Sequence, residues 1–273
     1  MADDVLILIP ARMAATRLPG KPLLDIAGSP MIVHVLRRAL AAELGPVVVA
    51  TDDEAIAACV EKAGGRAVMT RKDHPSGSDR IYEALGIVDP KAQVKIIINM
   101  QGDLPTLPPV DLQAVLGPLS DSAVDISTIA AELRDTDWDN PNVVKVAGKN
   151  LGPRHLSARV FTRTLAPQIK ELQKRMKSQP TAPPLGATMN SATSEFFFHH
   201  IGLYAYRRQA LQRFVQLPPS KNELTAKLEQ LRAMDAGMRI DVAIVNSVPL
   251  GVDTPEELEI ARAMLKSGSK SGR

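Results

Sequence analysis

Between Ala11 and Lys21 the chain reads ARMAATRLPGK. Arg12, Arg17 and Lys21 stand there among small residues, with a Pro19-Gly20 bend before the last of them. Cations separated by residues that let the backbone come close suit a polyphosphate. The plainer reading is a solvated basic loop; a place directly after an apolar strand favours phosphate. The segment is neither a GxxxxGK[ST] loop nor a GxGxxG fingerprint. A second stretch, HPSGSDR (74–80), puts Ser76 and Gly77 just before a helical pattern, where they could cap the helix or touch a base or phosphate.

Two carboxylates could complement the cations. Asp103 follows the strongest apolar run as Gln101-Gly102-Asp103, and there it can hold Mg²⁺, which takes one or two protein carboxylates plus phosphate oxygens. Gly102 would let a ligand approach the backbone; a simple turn is the plainer reading. Asp253 precedes TPEELEIARAMLK. Thr254, Pro255 and Glu257 already suit a capping box there, which leaves Asp253 spare for a metal, although it could itself cap the helix. His199 and His200 are neighbours in a strand pattern, so they face opposite sides and cannot be a zinc pair. Glu229 and Gln230 lie on an amphipathic stretch, ordinarily a solvated face. Cys59 lies in a helical pattern with no nearby His and suits a packing role. No Ser-His-Asp or Cys-His nucleophile arrangement can be assigned.

The elements that must position these residues follow from hydrophobic pattern. VLILIP (5–10), VVVATD (47–52), RAVMT and VKIIINMQ (94–101) read as buried strands. Helical patterns over 31–42, 53–65 and 78–86 alternate with them, which predicts parallel βαβ units in an open sheet. Ligands bind such sheets at the carboxyl ends of the strands. The loops holding ARMAATRLPGK, Asp52-Asp53 and QGDLP are therefore expected to face one site. Further on, DISTIAAEL, NVVKVAG, FHHIGLYAYR and RIDVAIV predict strands, and NELTAKLEQLRAMDAG predicts one amphipathic helix stopped by Gly237. QIKELQKRMK suggests a helix within an insert at about 167–195, whose remainder is rich in Pro, Ala, Ser and Thr.

The chain has 273 residues and a formal charge of +3. Lys266, Lys270 and Arg273 lie in a C-terminal stretch without acids; apart from them the body carries 30 basic and 30 acidic residues. Residues 266–273 are expected to form a disordered basic tail. With a neutral body and 3% aromatics, a nucleic-acid partner is not expected. No apolar run approaches a membrane-spanning length, so no membrane association is expected. The single cysteine excludes an internal disulfide, which fits a reducing, cytoplasmic setting.

IPARMAATRLPGKPL, MIVHVLRRA, VVVATDDEAI, DHPSGSDRI, NMQGDLPT, NPNVVKV, HHIGLYAYRR, KLEQLRA and GVDTPEELE occur in this order. With them the chain resembles the 3-deoxy-manno-octulosonate cytidylyltransferases, or CMP-Kdo synthetases, over nearly its whole length. The IPAR…TRLPGKPL block together with GVDTPE is the specific part. The resemblance implies a single α/β nucleotidyltransferase domain over 1–265, with a Rossmann-like mixed, mostly parallel sheet flanked by helices. It implies transfer of CMP from CTP to Kdo with release of pyrophosphate, a Mg²⁺ cofactor, a role in lipopolysaccharide biosynthesis and a homodimer. By position, Arg12, Arg17, Lys21, Ser76 and Gly77 match the nucleotide site. Lys21, Asp103 and Asp253 match the catalytic set, the two aspartates as metal ligands. Gln101, Arg163, His200, Tyr204, Glu229 and Gln230 match the sugar pocket. The chain departs from the family at Ala15, often Ser; at Ala226, often Glu; in RVFTRTLAP around Arg163; and in the longer insert. A modified sugar acid as acceptor, or a non-catalytic relative, remains the alternative. CMP-sialate synthetases share IPAR but usually continue Gly-Ser-Lys, and hexose-1-phosphate enzymes usually carry a G-x-G-T-R loop, absent here.

Overall fold

The computed structural model describes residues 4–14, 17–165 and 196–268. Ala15, the insert at 167–195 with its suggested helix, and 269–273 of the tail lie outside the described residues. In chain order the strands are β1 (Val5–Ala11), β2 (Asp25–Ile26), β3 (Ser29–Pro30), β4 (Val47–Thr51), β5 (Arg66–Met69), β6 (Ile96–Met100), β7 (Ile126–Glu132), β8 (Lys145–Gly152), β9 (His155–Thr162), β10 (Phe198–Arg207) and β11 (Ile240–Ile244). The helices are α1 (Met31–Leu40), α2 (Glu54–Lys62), α3 (Gly77–Val88), α4 (Pro109–Ala114), α5 (Arg208–Gln216), α6 (Lys221–Ala226), α7 (Gln230–Asp235) and α8 (Pro255–Gly268). The chain divides into two compact units.

The first unit comprises 1–113, 203–215 and 249–273. Its strands run β5-β4-β1-β6 in parallel, and the second half of β10 joins β6 antiparallel. The parallel strands are those that the strand–helix alternation predicts, and the antiparallel partner makes the sheet mixed, as the family resemblance implies, with α1, α2 and α3 packed on its strands. Val47–Thr51 and nearly all of β1 are buried, as expected of strands covered on both faces. Helix signals act where predicted. Asp53 caps α2 by accepting from the amides of Ala55 and Ile56. Thr254 and Glu257 form the reciprocal box that starts α8, at 3.3 and 2.9 Å. That helix runs to Gly268, so 266–268 continue it. Leu18, Ile26, Met31, Val252, Leu258 and Ala261 form a buried cluster beneath the phosphate-type loop.

The second unit comprises 114–202 and 216–248. β7 and β11 pair in parallel; β11–β9, β9–β8 and β8 with the start of β10 are antiparallel. β9 had no sequence prediction: HLSARVFT shows weak apolar alternation, and the hairpin after β8 turns through Gly152 and Arg154, the latter at φ 62°. NELTAKLEQLRAMDAG is not one helix. It breaks at Lys227, which adopts a left-handed conformation with φ 54°. Glu223 explains the break. Its carboxylate closes a capping box with Ser220 and also takes two bonds from Arg232, at 2.8 and 2.5 Å, so α7 folds back toward α6. None of the described helices is long and apolar enough to cross a membrane.

Candidate active site

Parallel packing of β1, β4 and β6 brings their carboxyl ends to one side of the first unit. The loop after β1 bends at Gly20, which takes φ 69°, and a 3-10 turn at Lys21–Leu23 aims Lys21 inward. The Lys21 ammonium donates to Asp103 at 2.9 Å and to Asp253 at 2.8 Å. Arg17 reaches the other oxygen of Asp253 at 2.9 Å. Residues far apart in sequence thus form one charge cluster. Burial pushes the Lys21 pKa down, but Asp103 and Asp253 outweigh it and hold the ammonium above its ordinary range. Burial opposes ionisation of Asp253, yet Lys21 and Arg17 hold its carboxyl below the usual carboxylate range. Glu257 takes up the amides of Asp253 and Thr254, which leaves the Asp253 carboxylate to the cluster.

The side chains of Asp103 and Asp253 keep 30% and 42% of their exposure, so both stay open to water and to a ligand. Two hard carboxylate donors held together by one ammonium, with solvent access, suit Mg²⁺ bound through carboxylates and phosphate oxygens.

The first unit also holds a cavity lined by Pro10 and Ala11 at the end of β1, Arg12 after it, Gln101 after β6, and His74, Ser76, Gly77 and Arg80 around the start of α3. Ser76 caps α3, accepting from the amide of Asp79 at 3.2 Å and donating to its carboxylate at 2.7 Å. The capping role therefore holds while Ser76 still lines the cavity. A Cβ on Gly77 would meet Pro10 Cγ at 3.3 Å, and one on Gly102 would meet the Pro10 carbonyl at 3.0 Å. The space at Gly102 is thus needed by the protein's own backbone. Gln101 donates to Asn99 at 3.1 Å, and Asn99 lies opposite Tyr204 in the β6–β10 register. Tyr204 is half-buried and tilts against Tyr206.

His74 and Arg80 escaped the sequence reading. Arg80 is buried, bonded to Thr70 at 2.6 Å and to Asp52 at 3.2 Å. Its place one helical turn after Ser76 was the available sign. His74 is bonded to Glu83. Of the Asp52-Asp53 pair, in a loop expected to face the site, Asp52 holds the cavity-lining Arg80 and Asp53 caps α2.

The remaining sequence-selected residues lie in the second unit. Arg163 follows β9 and donates to the carbonyls of Pro141 and Asn142, both at 3.2 Å. His200 is buried, 3.0 Å from the Thr128 hydroxyl and edge-on to Phe161, and burial pushes its pKa down to about 3, so the ring is neutral. Its neighbour His199 faces the other way and bonds Asp137 at 2.9 Å. Gln230 is buried and Glu229 half-buried near Arg232, which corrects the solvated-face reading.

A family model described as cytidylyltransferase matches residues 6–240. A 3-deoxy-manno-octulosonate cytidylyltransferase of Rhodopseudomonas palustris (strain BisA53) is 59% identical over 265 residues, covering 97% of this chain and 98% of the relative. The chain belongs to the 3-deoxy-manno-octulosonate cytidylyltransferase family. A family member from Methylobacterium radiotolerans is 56% identical, over 97% of this chain and 98% of its own. Among solved structures, a CMP:2-keto-3-deoxy-manno-octonic acid synthetase complexed with CTP is 39% identical. It covers 97% of this chain and 99% of its own, with a TM-score of 0.79. The chain is accordingly a nucleotidyltransferase of cytidylyltransferase type, and the family resemblance read from its motifs holds over the full length.

Proposed function

We propose that this chain transfers CMP from CTP to the anomeric hydroxyl of Kdo, giving CMP-Kdo and pyrophosphate for lipopolysaccharide biosynthesis. The full-length likeness to cytidylyltransferases of that specificity supports the substrates. The observation that carries the mechanism is the Lys21 ammonium shared by Asp103, after β6, and Asp253, just before α8. The hydroxyl oxygen forms a bond to the α-phosphorus, the bond to the β,γ-diphosphate breaks, and the hydroxyl proton leaves to solvent. Such a step needs alignment and charge neutralisation rather than a protein nucleophile.

Arg12, Arg17 and Lys21 neutralise the triphosphate, and Ser76 and Gly77 border the nucleotide. Asp103 and Asp253 would hold Mg²⁺, which supplies further neutralisation of the phosphate oxygens. Gln101, Tyr204, His200, Glu229 and Gln230 contact the sugar acid, and Arg163 pairs with its carboxylate. CTP as donor places the work in the cytoplasm. A homodimer follows the family likeness, and sedimentation of the purified chain tests it.

Pyrophosphate release with Mg²⁺, CTP and Kdo is the deciding assay, with sialic acid, 8-amino-Kdo and other nucleotides run in parallel. Release confined to CTP with Kdo is expected. Activity only with another sugar acid would overturn the acceptor, and silence of folded protein with every pair would overturn the enzyme reading.

A further inference from the structure

Lys145 opens β8 and is entirely buried, with 0% exposure. A buried ammonium is costly unless its protons are taken up. Here they go to main-chain oxygens: the carbonyl of Asn140 at 2.7 Å and that of Arg163 at 2.8 Å. The register explains the reach. Lys145 lies opposite Thr162 in the β8–β9 pair, so Arg163 follows directly beside it. Asn140 comes back within reach through the turn in which Val143 donates to the Asn140 carbonyl at 3.2 Å. Burial pushes the Lys145 pKa down, and Arg163 adds to this; Asp137 and Asp139 oppose it.

Arg163 is fixed from its other end as well. Its Nη1 donates to the carbonyls of Pro141 and Asn142. The same short loop therefore holds the guanidinium, while Lys145 ties that loop to the main chain of Arg163. Those two bonds both leave from Nη1, and a guanidinium has further N–H donors arranged to meet a carboxylate in a plane. A methionine would fill a similar volume without a buried charge, so packing alone does not call for lysine here. What the ammonium adds is a fixed distance between two carbonyls, one of them belonging to Arg163.

We propose that Lys145 is a positioning residue for sugar-acid binding: it locks the Arg163 main chain to the 140–142 loop, so that the guanidinium meets the substrate carboxylate already oriented. This rests on the role given above to Arg163. Orientation set before binding lowers the ordering cost when the ligand arrives.

The test is a double-mutant cycle with Lys145→Met, Arg163→Ala and both together, in pyrophosphate release with CTP and Kdo. Lys145→Met should raise KM for Kdo about tenfold while KM for CTP moves by less than about twofold, as a local misplacement would. In the Arg163→Ala background, Lys145→Met should add little, because the group it positions is gone. Lys145→Gln, which keeps an N–H donor, should recover part of the loss; it also carries the cycle if Lys145→Met does not fold. An equal rise in both KM values, full additivity of the two changes, or an unchanged KM for Kdo in folded variants would overturn the proposal. Wild-type turnover tests the function separately, and Arg163→Ala alone tests the role of Arg163. An unaltered KM for Kdo in Arg163→Ala would overturn that role and this proposal with it.

Discussion

The candidate site of the first unit and the interior of the second handle charge in opposite ways. In the first, the cations and carboxylates of the candidate site neutralise one another at the open ends of parallel strands, with Arg17 and Asp253 still well exposed. In the second, ionised groups lie deep and are satisfied by fixed partners: Glu223 by Arg232, Asp137 by His199, and the fully buried Asp241 by Arg239 and His155. Exposed pairs are worth about 0–1 kcal/mol and can be exchanged for a ligand. Breaking a buried pair by deleting one partner costs about 3–5 kcal/mol. Removing a charge from the open site cluster of the first unit should therefore cost turnover, and removing one from these buried pairs of the second should cost stability.

The sharpest way to break this contrast is at the proposed metal ligands. Asp103→Asn and Asp253→Asn should each lower turnover by about a hundredfold or more, the scale of losing one preorganised electrostatic stabiliser. Their melting temperatures should stay near wild type. Near-normal rates in both variants at saturating Mg²⁺ would remove the metal assignment, and loss of folding would blur the distinction between the units.

Glu223→Gln is the counterpart in the second unit. The bonds from Arg232 come first in holding the Glu223 carboxyl below its ordinary pKa; burial acts in the opposite direction. A lowered folded-state pKa contributes stability above the unfolded-state value, about 4.3, and this is lost as pH falls through the folded-state value. The variant should be less stable by about 3 kcal/mol near neutral pH. Denaturant melts should show that gap closing progressively below about pH 4. A gap independent of pH would point to packing rather than charge.

Lys21→Met sharpens the first unit's side of the comparison. The ammonium that holds the two carboxylates competes with any metal ion for them. Calorimetric or spin-resonance titration should find Mn²⁺ binding without nucleotide about tenfold tighter in the variant, the scale of one nearby charge partly screened by water. KM for CTP should rise while KM for Kdo changes less. Unchanged Mn²⁺ affinity would mean that the ammonium does not guard the aspartates. The smallest effect is expected at Ser76→Ala, where loss of the α3 cap should cost about 1 kcal/mol of stability.

Much of the first unit was legible because its elements are local. β1, β4 and β6 each read as a continuous apolar run, and helix caps sit within a few residues of what they cap. Motif order also gave the family, and through it Arg163 and Tyr204, which no spacing rule would have selected. The second unit was harder to read. β9 carries Ser157 and Arg159 in its middle and is a strand because β8 and β11 flank it, a long-range fact. The split between α6 and α7 depends on Glu223 meeting Arg232, two residues that fit a single helix equally well by pattern.

By itself the sequence determined the strand–helix alternation, the cationic loop after the first strand, Asp103 after an apolar strand and Asp253 before a capped helix, because short-range periodicity and capping chemistry are written in adjacent residues. Only the tertiary structure decided that Lys21 would be shared by Asp103 and Asp253, that Gly102 makes room for the Pro10 carbonyl, and that Lys145 would spend its charge on the carbonyls of Asn140 and Arg163. Those outcomes depend on which distant backbones are brought within a few ångströms, and a pattern along one chain does not contain that distance.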